Sequence, residues 1–149
     1  MSLCVTATTS SRRRRWYTLE EANRSLVLVR RIVRDVIRQH GKVIELQELA
    51  DRTDGRLSPD SQAGQDLRAT INHLGGLLQE LDELNVLLVD YFQGAVDFPS
   101  QVDGREIYLS WQAGQEEVSA WHEVGQEPQA IHTLPHHGQA ALQPQGASA

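Results

Sequence analysis

At 149 residues, with a net charge of −6 and one cysteine, the chain has room for one small domain and excludes an intramolecular disulfide or a cysteine-based zinc site. Cys4 in a polar leader fits a reducing compartment, and no stretch nears the ~20 apolar residues that span a bilayer. The charges of the start follow its weak apolar run, the reverse of a secretory signal, so the expected location is cytoplasmic.

Residues 1–15 end in Arg12, Arg13, Arg14 and Arg15 and read as a disordered basic leader. All 20 acidic residues lie between Glu20 and Glu127, so the body is acidic and opposes phosphate backbones. Nucleic acid is expected to meet this chain only weakly, through those four arginines.

Structure begins at "YTLEEAN". Thr18 and Glu21 make a capping box, in which the hydroxyl accepts from a first-turn amide while the carboxylate reaches back to the cap. Ala22, Leu26, Val29, Val33 and Val36 open a stripe that advances by fours and threes to Ala50, a rod of ~33 residues and ~50 Å. His40 lies on that stripe and reads as a seam histidine with a partner, whereas His73 falls off its own stripe and reads as solvated. The run "DRTDGRLSPDSQAG" reverses the chain. Leu67, Ile71, Leu74, Leu78, Leu81 and Leu88 then repeat the spacing, with Asn85 in the seam. Two such stripes bury each other as an antiparallel hairpin over residues 18–88, packed like a coiled coil.

From 89 to 124 the period becomes that of short antiparallel strands. Strands are expected at Ala95–Phe98, ended by Pro99, at Arg105–Trp111 and at Val118–Glu123, with Asp103-Gly104 as a hairpin turn. A two-residue turn at Ala113-Gly114 pairs Leu109 with Val118, Ile107 with Ala120 and Arg105 with His122. The fold class is thus α+β: a long antiparallel helical hairpin, then a small antiparallel sheet of three or four strands. The single domain runs from 16 to 127, and 128–149, rich in Gln, Ala, Pro and Gly, reads as a disordered tail.

Chemistry is sparse. His122 and Glu123 are neighbours on a strand and point to opposite faces, and His132, His136 and His137 lie in the tail, so no metal site and no cofactor is expected. Asp97, Tyr108, His122 and Glu123 are the candidates for acid–base work, with Arg105 to hold an anionic group and Trp111 and Trp121 as further ligand contacts. The competing reading makes Tyr108 and Trp121 cross-strand aromatics and pairs Arg105 with a nearby carboxylate. No nucleophile with an adjacent base and no phosphate-binding glycine loop is present.

"YTLEEAN", "GAVDFPSQVDGREIYLSW" and "GQEEVSAWHE", in this order, resemble an uncharacterised prokaryotic family catalogued as domain-of-unknown-function family 2203. The resemblance runs from Trp16 to about Glu123 and implies a bacterial origin, a fold and boundaries; it carries no activity. Asp97, Arg105, Tyr108, Trp111, Trp121, His122 and Glu123 match the family's motifs. Ser110 stands where that family often has Cys, Ala95 where it has Leu, and "VGQEPQAIHTL" where it continues into a glycine-rich segment.

The leading expectation for function is a non-enzymatic interaction or oligomerisation module, self-associating or meeting a protein partner through the hairpin. Leftover apolar residues such as Val27, Leu28, Leu46 and Leu49 motivate it. The rival is a small-molecule-binding protein or acid–base enzyme with its site at the sheet around His122, Tyr108 and Arg105.

Overall fold

The computed structural model describes residues 15–52 and 58–135. Helices α1 (Leu19–Arg52) and α2 (Gln62–Glu83) precede strands β1 (Leu87–Asp90), β2 (Ala95–Val102), β3 (Arg105–Gln112), β4 (Ala120–Glu123) and β5 (Gln129–Ala130). The strands form one antiparallel sheet in sequential order, and a 3-10 turn at Ile131–Thr133 follows. The expected α+β class is observed, with five strands rather than three or four. Among the described residues no helix is long and apolar enough to cross a membrane.

The capping box opens α1: Glu21 N donates to Thr18 Oγ1 at 3.0 Å and Thr18 N to Glu21 Oε1 at 3.1 Å. Ala22, Leu26, Val29, Val33 and Val36 are buried in one core with Leu77 and Leu81 of α2 and with Val96, Phe98, Leu109 and Trp111 of the sheet. α1 therefore serves two neighbours at once, and each fully buried Leu, Val or Phe adds about 1.5–3 kcal/mol. The helices are antiparallel, since the Tyr17 hydroxyl just before α1 donates to Leu84 O just after α2 at 2.6 Å.

Burial pushes the Tyr17 hydroxyl above its ordinary value; the Arg15 charge pulls it down and Glu21 pushes it up. A raised folded value means stability that is complete below the unfolded value of about 10 and lost as pH climbs through the folded one. Tyr17→Phe is expected to cost about 1 kcal/mol at neutral pH, through the lost bond to Leu84 O, and to flatten the alkaline fall in stability. Urea titrations at neutral pH and near pH 10.5 check both.

Several expectations are corrected. α2 stops at Glu83 instead of running to Leu88, because Asn85 takes a left-handed φ of 59°. Val86 N then donates to Leu81 O and Asn85 N to Asp82 O, the paired bonds of a Schellman stop, with Val86 and Leu81 both buried. Asn85 is thus a helix terminator whose Nδ2 donates to Arg15 O, and Leu88 belongs to β1. Ile71, expected in the seam, is exposed, and the seam turns instead toward Leu77 and Leu81. His40 meets Tyr91 and Phe92 of the β1–β2 turn, at ring distances of 5.0 and 4.9 Å.

Pro99 does not end its strand. Its carbonyl accepts from Tyr17 N at 2.8 Å, on the side where β1 has already stopped, so the missing N–H breaks no ladder bond. Regular structure also continues past Glu127: β5 pairs Gln129 with Trp121, Thr133 Oγ1 accepts from the Trp121 indole at 3.0 Å, and Leu134 is buried in the core. Residues 1–14, which hold Cys4 and three of the four leader arginines, and 136–149, which hold His136 and His137, lie outside the described residues.

Candidate functional site

The sheet's two faces follow from its registers. Val96, Phe98, Ile107, Leu109, Trp111 and Trp121 fill the inner face against α1. Asp97 lies opposite Ser110, Pro99 opposite Tyr108, Tyr108 opposite His122 and Ser110 opposite Ala120, so these residues share the outer face. The expected pairing of Leu109 with Val118 is wrong by three residues, since Leu109 faces Trp121. An odd shift exchanges the faces of a strand, which moves Trp121 inward and His122 outward.

The cause is the β3–β4 connection. Gln115 Oε1 accepts from Gln112 N at 3.1 Å and from Ser119 Oγ at 2.9 Å, and Gln115 O accepts from the Trp111 indole at 2.9 Å. One glutamine thus organises a wide loop where a two-residue turn was expected. α1 holds that loop from outside: Val118 N donates to Asn23 Oδ1 at 2.7 Å, and Arg30 donates to Glu116 O at 3.0 Å.

On the outer face three separated segments deliver Asp97, Ser110 and His122 to one place. Ser110 Oγ donates to Asp97 Oδ1 at 2.9 Å, His122 Nε2 meets Asp97 Oδ2 at 3.0 Å, and His122 Nδ1 meets Glu123 O at 2.9 Å. Both ring nitrogens are thus engaged by oxygens of the protein itself. Tyr108 stacks on the imidazole at 5.4 Å and donates to Glu106 Oε2 at 2.8 Å. Asp97 lies between serine and histidine, so Ser110 meets a weakly basic carboxylate rather than the imidazole, and both ring nitrogens of His122 are already engaged.

The other candidates lie elsewhere. Arg105 and Glu123 pair with each other at 3.0 Å in contact with solvent, Trp121 is core, and Trp111, equally buried, only borders the hollow beside Asp97 and His122. A double-mutant cycle on Asp97→Asn and His122→Gln is expected to give a coupling of about 1–3 kcal/mol, because both side chains are largely covered, at 15% and 16% exposure. The cycle on Arg105 and Glu123, 54% and 30% exposed, is expected to stay below about 1 kcal/mol. Chemical denaturation of the four variants of each cycle measures both.

Beside the Asp97–His122 pair the outer face is concave, with a volume of about 400 Å³, lined by Asp97, Ser110, His122, Ala95, Ala120, Val89 and Pro128 and by the amide side chains of Gln112, Gln115 and Gln126. Among the described residues no Lys or Arg lines it. Reading from sequence missed these glutamines, whose only signal was their place beside turn glycines. Among the described residues no three His, Cys, Asp or Glu side chains converge as metal ligands.

A family model described as "Uncharacterized conserved protein (DUF2203)" matches residues 15–128. No curated protein and no solved structure matches the chain.

Proposed function

The chain belongs to this DUF2203 family, and we infer that it is a small-molecule-binding protein whose site is the concave outer face of the sheet. The observation that carries this reading is the convergence of Asp97, Ser110 and His122 beside a hollow of about 400 Å³, within the size range of ligand pockets. Because both ring nitrogens of His122 already meet oxygens, the site suits binding better than proton transfer. Among the described residues no Lys or Arg lines the hollow to hold a phosphate or carboxylate, and the Asp97 carboxylate is already engaged by Ser110 and His122, so a neutral polar ligand suits the lining best. An NMR titration of the full chain with a library of neutral fragments tests it. Shifts gathered at Val89, Ala95, Ser110 and Ala120, and abolished by Ala120→Trp, are expected; a library in which nothing perturbs those residues overturns the reading.

A second reading, the interaction or oligomerisation module built on the hairpin, is favoured by Val27 and Leu28 of α1 and Ile71 of α2, which stand 72%, 44% and 48% exposed. Sedimentation at high micromolar concentration distinguishes them: a dimer that Leu28→Glu dissociates supports the module, and a monomer opposes self-association.

A further inference from the structure

Arg24, Arg31, Arg34, Arg38 and Lys42 are all exposed on α1. At 3.6 residues per turn they point within an arc of roughly 80°, opposite the buried residues Leu26, Val29 and Val36, and at ~1.5 Å per residue the row is ~27 Å long. Asp35, 3.7 Å from Arg38, is the one acid between Arg24 and Lys42. The exposed Glu45, Glu48 and Asp51 close the row on its C-terminal side.

A helix face meant only for water is stabilised by opposite charges at spacings of three and four. Here Arg31 and Arg34, Arg34 and Arg38, and Arg38 and Lys42 set like charges at those spacings, a repulsion that Asp35, placed to meet Arg31 and Arg38, and Glu45, placed to meet Lys42, offset only in part. In a chain of net charge −6, composition does not account for such a concentration of cations. An external polyanion would relieve what remains of the repulsion, a local attraction set against the acidic charge of the body as a whole.

We propose that this side of α1 is a docking surface for nucleic acid, gripped by its phosphate backbone without base readout. Guanidinium groups bind phosphate oxygens two at a time, and ~27 Å spans about eight phosphates of one strand at ~3.4 Å each. A membrane surface is disfavoured because the apolar side of α1, which an interfacial helix must insert, is committed to the core. A second copy presenting the same row face to face is repelled by it, so a dimer through Leu28 and Ile71 would form beside this row rather than across it. This surface, distinct from the leader arginines, stands on α1 alone, so its failure leaves the reading of the sheet untouched.

The test is fluorescence anisotropy of the full chain with a labelled random-sequence 20-base-pair DNA duplex and, separately, a labelled 20-nucleotide RNA strand, the two arms telling the source of the phosphates. Binding is expected at micromolar concentration near 50 mM salt on at least one probe, with log K falling against log salt at a slope of about −4 on the duplex or about −3 on the single strand. Arg31→Glu, Arg34→Glu and Arg38→Glu together are expected to weaken it more than 10-fold at an unchanged melting temperature. Should that variant melt early, Arg34→Gln with Arg38→Gln is expected to weaken it about 3-fold. Replacing Arg12 to Arg15 by alanine is expected to leave most of the affinity. No binding to either probe, binding indifferent to the α1 substitutions, or binding only to phosphatidylserine vesicles overturns the proposal.

Discussion

Trp111→Ala is expected to destabilise the protein by about 3–5 kcal/mol, a large share of the ~5–15 kcal/mol that holds a domain together. Trp111 is 1% exposed in the centre of the inner face, and its indole holds the β3–β4 loop through Gln115 O. The substitution therefore opens a cavity and frees a carbonyl in one step. Thermal unfolding followed by circular dichroism is expected to shift down by about 10–20 °C. An unchanged melting curve would mean that the ring is no part of the core, and would restore Trp111 as a ligand contact.

Gly94→Ala is expected to cost about 2–5 kcal/mol for two separable reasons. Gly94 holds φ at 72°, which costs a residue with a Cβ about 1–2 kcal/mol. That Cβ would also stand 2.7 Å from both Val33 Cγ1 and Ile37 Cδ1 on α1, and overpacking adds about 1–3 kcal/mol. Gly104 separates the two, since its φ is 79° and nothing lies within 4 Å of an added Cβ. Gly104→Ala is expected to show the backbone share alone, so equal losses at both positions would refute the close approach of the β1–β2 turn to α1. Urea denaturation of the two variants measures the difference.

What could be read in advance was what is local. Thr18 and Glu21 are three residues apart, and Asp103-Gly104, with φ of 54° and 79°, needs only its own backbone, so the start of α1 and the β2–β3 hairpin were both legible. The end of α2 was hidden because Leu84 and Leu88 continue a helical spacing across a residue that leaves the helix. Asn23 was read as part of a helix start; its bond to Val118, 95 residues away, has no local sign. The candidate site suffered most. Asp97, Tyr108 and His122 were singled out by residue type, yet their meeting on the outer face depends on a three-residue difference in one loop, set by Gln115. Arg105, which the expected register set beside His122, instead pairs with Glu123 in contact with solvent.

The short β5 rung and the turn after it lie at or beyond the stretch shared with the family, which stops at 128. Thr133 nevertheless caps the Trp121 indole N–H, and Leu134 is buried in the same core. A fragment trimmed to the shared boundary would hand water an indole edge and a bare N–H, and would invite sticking between copies that the longer polypeptide avoids.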